Sequence, residues 1–300
     1  MRSSAEKGRR IFIEGTIVML VVGFLSAAIH PVSSATSTPT GLIVPLYSYP
    51  TNPAWGALIK EKLSYPNVPI IAVVNPDSGP GKSLNPKYVS GVANLQKAGI
   101  IVVGYVPTGY ASVGLKTVEA SALDYKSWYH VNGVFFDQMS NILGGESYYS
   151  NASQYANSIG LDLTVGNPGT SVPSSYVGTV SILVIYERAG FPSVSTIANS
   201  TLGDPRSNFA AISYRVGAPS QYYLQSVAQY LSYVYFTNGR APNPYAGLPS
   251  YLSSLMKELS SMDSPSATTT GGASPVTLQS SLNLNGNTPA HRSLARNAPA

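Results

Sequence analysis

The stretch "PIIAVVNPDSGPGKS" (Pro69 to Ser83) decides how the fold is read. A β-branched run enters a Gly-rich turn ending in Gly-Lys-Ser, and a helical stretch follows. It is either a nucleotide-binding loop or the exit of one strand in a longer series. A phosphate-cradling loop needs Gly, four residues, then Gly-Lys-Ser/Thr, so that successive backbone N–H groups curl around the phosphates. Counting back from Gly81, Lys82 and Ser83 puts the first glycine at position 76, which is Pro76. Proline has no N–H and a fixed φ, so the loop cannot wrap as required. The nucleotide reading fails, and the series remains.

That series has eight members. The runs are "LIVPLYS" from Leu42, "PIIAVVN" from Pro69, "IIVVGYV" from Ile100 and "NGVFFDQ" from Asn132. They continue as "LDLTVGN" from Leu161, "VSILVIYE" from Val180, "FAAISYR" from Phe209 and "LSYVYFT" from Leu231. Most are apolar on both faces, as strands of a buried parallel sheet must be. Helical stretches separate them. "NPKYVSGVANLQKAG" carries Val89, Val92 and Leu95 along one face, with Lys97 in its last turn and Gly99 as a stop. "LPSYLSSLMKELSSM" places Leu248, Leu252, Leu255, Leu259 and Met262 at helical spacing. "VPSSYVG", after the fifth run, is too short for a full helix. Eight such units between residues 41 and 262 predict an α/β fold, the (β/α)8 TIM barrel; a doubly wound open sheet is the alternative.

Outside this region the chain changes character. Basic residues precede the apolar run "TIVMLVVGFLSAAI" (Thr16 to Ile29), and Ser33-x-Ala35 has the form of a cleavage site. Residues 1–35 are therefore expected to be a secretory signal peptide, or else an uncleaved membrane anchor. Either places the barrel outside the cytoplasm, secreted or held at the outer face of the membrane. Residues 263–300 lack periodic apolar positions and are expected to be disordered. The formal net charge of +5 is spread thinly. Arg2, Lys7, Arg9 and Arg10 stand against Glu6 and Glu14, and Arg292 and Arg296 against Asp263, so the centre keeps little excess and no basic cluster. Nucleic-acid binding has no footing there. Cysteine is absent, so no disulfide framework exists. Asn151-Ala-Ser153 and Asn199-Ser-Thr201 fit the acceptor pattern for N-glycosylation.

A TIM barrel keeps its chemistry at the C-terminal ends of its strands. The runs end there in Tyr47 and Tyr49, Asn75 and Asp77, Tyr105 with Tyr110 following, and Asp137-Gln138. The remaining four end in Asn167, Tyr186-Glu187, Tyr214-Arg215 and Thr237-Asn238. Lysine is missing from these ends except for Lys82 beyond its turn, which argues against a Schiff-base aldolase. The central histidine, His130, precedes the fourth strand at the opposite end, so neither a histidine metal site nor a catalytic triad has its material. No metal and no cofactor is expected. Asp137 and Glu187 remain, each carried out of an apolar strand into the mouth. Taken singly, Asp137 would be a loop-capping carboxylate and Glu187 a partner of Arg188 or Arg215. Taken together, they suit glycoside hydrolysis, where one acid protonates the leaving oxygen and one carboxylate attacks or activates water. Tyrosines around the mouth would stack on sugar faces.

At this point the residues resemble a family. "VPLYSYP" (Val44 to Pro50) with Trp55, "IIAVVNPDSGPG" (Ile70 to Gly81) and "VVGYVPTGY" (Val102 to Tyr110) are similar to the spherulation-specific family 4 proteins. "NGVFFDQ", "VGNPGT" (Val165 to Thr170), "VIYE" (Val184 to Glu187) and "YVYFTNGRAPNPYAGLPSYL" (Tyr233 to Leu252) continue the match in order. That family is similar to the fungal galactosaminogalactan-degrading enzymes of glycoside hydrolase family 135, which are (β/α)8 barrels. The resemblance implies a polysaccharide or glycan substrate rich in amino sugars, with Asp137 and Glu187 at the family's acidic positions. Tyr47, Asn75, Tyr105, Gln138, Asn167, Tyr214 and Asn238 would line the substrate cleft. Relatives commonly carry Asp-Glu where this chain has Asp137-Gln138, Asp where it has Asn238, and a histidine near Tyr214. The expectation is a monomeric endo-acting glycosidase; the alternative is a glycan-binding or cell-surface protein on the same scaffold. A phosphate-binding barrel, resting on "GNPGT" (Gly166 to Thr170), is a third reading.

Overall fold

The computed structural model of the chain describes residues 39–262. Eight parallel strands close in sequence order, with β1 hydrogen-bonded to β8. They are β1 (Gly41–Leu46), β2 (Ile70–Val74), β3 (Ile101–Pro107), β4 (Gly133–Asp137), β5 (Leu163–Asn167), β6 (Ile182–Ala189), β7 (Phe209–Tyr214) and β8 (Tyr233–Phe236). Around them run α1 (Pro53–Ser64), α2 (Pro86–Lys97), α3 (Leu115–Asp124), α4 (Glu146–Ser158), α5 (Val194–Ser200), α6 (Gln221–Val227) and α7 (Leu252–Met262). The eight-unit reading is borne out, and closure removes the open-sheet alternative. Between β5 and β6 a single 3-10 turn, Ser174–Tyr176, replaces the α-helix. Pro173 sets the entry to that turn and Gly178, at φ 87, sets the exit, so the segment has room for no more.

Local chemistry starts the helices where the strands leave off. α1 and α2 share one device, an Asn-Pro pair. Asn52 accepts from the Ala54 N–H at 2.9 Å and Asn85 from the Lys87 N–H at 3.0 Å, while the proline removes an N–H that would have had no partner. α2 buries Tyr88, Val92 and Leu95, with Val89 only partly covered. α7 buries Leu252, Leu255, Met256 and Leu259, and Leu248 lies in the turn before it.

Parallel strands in register present residues of one level to the same face. Tyr105 pairs with Phe135, Phe135 with Val165, and Val165 with Ile182, which marks the inward-facing phase of these strands. Phe135, Val165, Ile43, Val73, Ile212 and Tyr235 are essentially inaccessible to solvent. Each such side chain contributes about 1.5–3 kcal/mol relative to exposure, so the barrel interior is a packed floor beneath its mouth.

The Asn-Pro-Asp-Ser-Gly-Pro-Gly loop is a clamped turn. Asn75 Oδ1 accepts from the Gly79 N–H at 3.0 Å, and the Tyr129 hydroxyl donates to the Pro80 carbonyl at 2.9 Å. Gly79 and Gly81 take φ values of 148 and 90, open to glycine and strained for other residues. Tyr129 ends a π-helical turn, Tyr125–Tyr129, whose Tyr125 ring lies flat enough on β3 that a Cβ at Gly104 would overlap it. Exposed His130 closes that turn in the left-handed region, away from the mouth. The expected signal or anchor segment and the expected tail both lie outside the described residues. Among the described residues no helix is long and apolar enough to cross a membrane.

Candidate active site

Three strand ends converge at the mouth. Asp137 closes β4 and pairs in register with Asn167, which closes β5. The Asn167 Nδ2 group donates to Asp137 Oδ1 at 2.8 Å and also to Glu187 Oε2. The Tyr105 hydroxyl donates to Asp137 Oδ2 at 2.7 Å, and the Tyr245 hydroxyl donates to Glu187 Oε1 at 2.6 Å. A continuous chain therefore runs Tyr105, Asp137, Asn167, Glu187, Tyr245, in which one buried amide holds both carboxylates. Both donors of that amide serve the acids, and its own Oδ1 is buried without a hydrogen-bond partner among the described residues. An unsatisfied buried acceptor costs about 1–3 kcal/mol. The fold tolerates that cost where it positions two acids.

Glu187 reaches the interior through a backbone irregularity. β6 and β7 pair Val184 with Ala210, but the next matched pair is Glu187 with Ile212. Three steps along β6 thus answer two along β7, a β-bulge. Side chains alternate faces along a strand, so without the extra residue Tyr186 would stand opposite Ile212 and Glu187 would turn toward the helices. Gly169 secures the slip from the other side: its N–H donates to the Val184 carbonyl at 3.2 Å, and its carbonyl accepts from the Glu187 N–H at 3.0 Å.

Burial pushes the Glu187 carboxyl up from its ordinary range. Its hydrogen bonds from Tyr245 and Asn167 pull the other way, and the charge of Asp137 adds to the rise. Burial also raises Tyr47, Tyr105 and Tyr245 well above an ordinary phenol, helped by Asp137 and Glu187 at the first two and by Glu187 at Tyr245. These hydroxyls stay protonated at working pH, and those of Tyr105 and Tyr245 act as donors to the acids. Neither arginine neutralises Glu187. Arg188 lies over the Tyr186 ring, 5.3 Å from its centroid, and donates to Thr170 at 3.3 Å. Asp137 is likewise no loop cap; its carbonyl, rather than its carboxylate, takes the Thr108 N–H and hydroxyl.

A cavity of about 170 Å³ opens over this chain, lined by Tyr110, Asp137, Gln138, Asn167, Pro168, Gly169 and Glu187. The segment read as a phosphate site thus faces two carboxylates, which repel a phosphate. Tyr47 meets Tyr105 and Tyr245 edge-on at 5.8 and 5.7 Å, and Tyr214 meets Tyr245 at 6.4 Å. These rings wall the far side of the acids. Gln138 sits at the cavity edge, exposed and at φ 53. Two expected residues have other partners: Asn75 caps its own loop, and Asn238, exposed, exchanges hydrogen bonds with Ser250 ahead of α7 at 3.2 and 3.3 Å. Tyr245 was not foreseen as a site residue. It lies in the β8–α7 loop, outside any strand, where a strand-end reading has no reason to look, although its segment is among those carrying the family resemblance. Among the described residues no group of three or more His, Cys, Asp or Glu could hold a metal.

Comparison with known proteins bears on the fold and the family. A crystal structure of Aspergillus clavatus Sph3 in complex with GalNAc superposes with a TM-score of 0.69 at 24% sequence identity, covering 75% of this chain and 99% of that one. It shares the fold. Spherulin-4 of Physarum polycephalum is 35% identical over 162 residues, which are 53% of this chain and 48% of that protein. The match thus spans about half of that relative's length. The sequence profile of Spherulation-specific family 4 matches residues 41–259, the whole barrel from β1 into α7. The chain belongs to the spherulation-specific family 4.

Proposed function

We propose that the protein is a glycoside hydrolase that cleaves an amino-sugar-containing exopolysaccharide or cell-envelope glycan by retaining, two-carboxylate chemistry. The observation that carries this is the single Asn167 amide held between Asp137 and Glu187. Two acceptors on one amide nitrogen lie no more than about 5.8 Å apart, twice an ordinary hydrogen-bond length. That closeness of the two facing oxygens supports a retaining pair, whose carboxyl groups stand about 5–5.5 Å apart, over an inverting pair at about 6.5–9.5 Å. The GalNAc bound to Aspergillus clavatus Sph3 supports an amino-sugar ligand for the shared fold.

Burial and the raised carboxyl support Glu187 as the general acid. Asp137, on its donors Tyr105 and Asn167, is the nucleophile. In the first step an Asp137 oxygen bonds to the anomeric carbon as the glycosidic C–O bond breaks, and the Glu187 proton goes to the leaving oxygen. In the second, Glu187 takes a proton from water, whose oxygen bonds to the anomeric carbon and frees the Asp137 carboxylate. Tyr47, with its hydroxyl beside both charges, and Gln138, at the cavity edge, contact the sugar. The same reading places the barrel outside the cell, released by cleavage after Ala35 or held by the run from Thr16 to Ile29; N-terminal sequencing of the mature chain separates these.

Reducing-sugar release from a panel of amino-sugar polymers tests the proposal. NMR of the first product should show the anomer of the substrate, and the opposite anomer would overturn retention. One observation favours a second reading: Gln138, which cannot ionise, stands at the cavity edge where relatives commonly carry an acid. Binding without release by wild type, Asp137→Asn and Glu187→Gln alike would make the protein a glycan-binding module.

A further inference from the structure

We infer that Tyr110 is a sugar-stacking platform, forming a binding subsite for a pyranose ring beside the catalytic pair; this rests on the function proposed above. Tyr110 is 66% exposed although it lines the cavity that holds Asp137, Asn167 and Glu187. The other rings near the acids are packed together, Tyr47 meeting both Tyr105 and Tyr245 edge-on. Tyr110 makes no ring contact of this kind among the described residues and stands exposed in the cavity lining, free to take a sugar. A pyranose presents a patch of C–H groups on one face, and an aromatic face takes such a patch while the phenol tip stays wet.

The backbone spends conformational freedom to hold the ring there. Tyr110 and Ala111 follow one another at φ 58 and 69, a region that side chains with a Cβ rarely occupy. The loop is fastened at several points. The Tyr110 N–H donates to the Gln138 carbonyl at 2.7 Å, the Val113 N–H to the Thr108 carbonyl at 3.1 Å, and the Tyr148 hydroxyl to the Val113 carbonyl at 2.7 Å. Thr108 is itself tied to the Asp137 and Gln138 carbonyls at 2.9 and 2.8 Å. The platform is thus bonded to the same strand end that carries the Asp137 carboxylate. Strain held by so many bonds is a signature of positioned function. Tyr222, 80% exposed on α6, has none of these attachments and serves as the control.

The test uses the full chain carrying Glu187→Gln, so that binding is read without cleavage, and size-fractionated galactosamine and glucosamine oligosaccharides as probes. Calorimetry should show Tyr110→Ala and Tyr110→Asn weakening affinity about tenfold, while Tyr110→Phe, Tyr110→Trp and Tyr222→Ala bind as the parent does. Asn tolerates the left-handed backbone, so Tyr110→Asn removes the ring while keeping the loop. In the otherwise wild-type chain Tyr110→Asn should raise KM with little change in kcat, the mark of lost uniform binding. Parent-like affinity in Tyr110→Asn overturns the platform and leaves the hydrolase standing. If no probe binds the parent and wild type releases no sugar, the hydrolase falls and the platform with it.

Discussion

The two halves of the barrel mouth are built from different materials. On the β3 to β6 side, strand-end side chains form one polar relay from Tyr105 to Glu187. On the β7, β8 and β1 side, Tyr47, Tyr214, Tyr235 and Tyr245 meet edge-on or tilted. Tyr245 belongs to both, with its ring in the aromatic wall and its hydroxyl on Glu187. The relay holds both acids, and the wall supplies the Tyr245 hydroxyl that fixes one oxygen of Glu187. Under the proposed mechanism the two halves act together, the relay holding both acids and the wall adding to the burial that raises the Glu187 carboxyl.

Removing the acids should have the largest effect. Asp137→Asn and Glu187→Gln are expected to lower kcat by about 10³-fold or more, as loss of a nucleophile or general acid does; loss below tenfold in either would dissolve the distinction between relay and wall. Next comes the shared amide. Asn167→Ala should cost about 10²-fold, while Asn167→Asp, adding a charge beside Glu187, should move the alkaline limb of the pH–rate profile to higher pH. Tyr245→Phe is the sharper probe of the wall, with a loss of about tenfold. It removes a hydrogen bond that favours ionised Glu187, so the proton is held to higher pH and the alkaline limb again moves up. A downward shift would place Tyr245 in some other role.

The smallest effects concern stability. A carboxyl raised in the folded state disfavours folding as pH climbs above its unfolded value, near 4.5, toward its folded one. Glu187→Gln should therefore raise Tm at pH 7, with the gain fading as pH falls through the folded value toward 4.5. Asn238→Ala, which loses only exposed hydrogen bonds to Ser250, should leave kcat within about twofold and lower stability by roughly 0.5–1 kcal/mol.

The fold was legible because nearly every strand is apolar on both faces and several connections carry start or stop signals, such as the Asn-Pro pairs before α1 and α2. Even the weak unit after the fifth run was visible, since "VPSSYVG" cannot hold a helix. The carboxylates were legible too, because charge at the end of an apolar strand has few structural uses. What stayed hidden was direction. Gln138 and Asn238 follow inward-facing positions by one residue, and sequence spacing alone did not show that Asn238 turns back onto its own loop. Asn75 has the inward phase, yet its amide is taken by Gly79. Tyr245 reaches the site from a loop whose path depends on the finished barrel, and no local pattern foretells it.

The extra residue in β6 has a consequence for comparing this barrel with its kin. The acid at position 187 owes its inward aim to a phase slip of one step, so its identity and its orientation are separate inheritances. A related chain that keeps a glutamate in the aligned column but lacks the slip would display it on the outer wall, beside the helices. Ranking such chains as enzymes or non-enzymes calls for counting the steps between the sixth and seventh staves before counting acids.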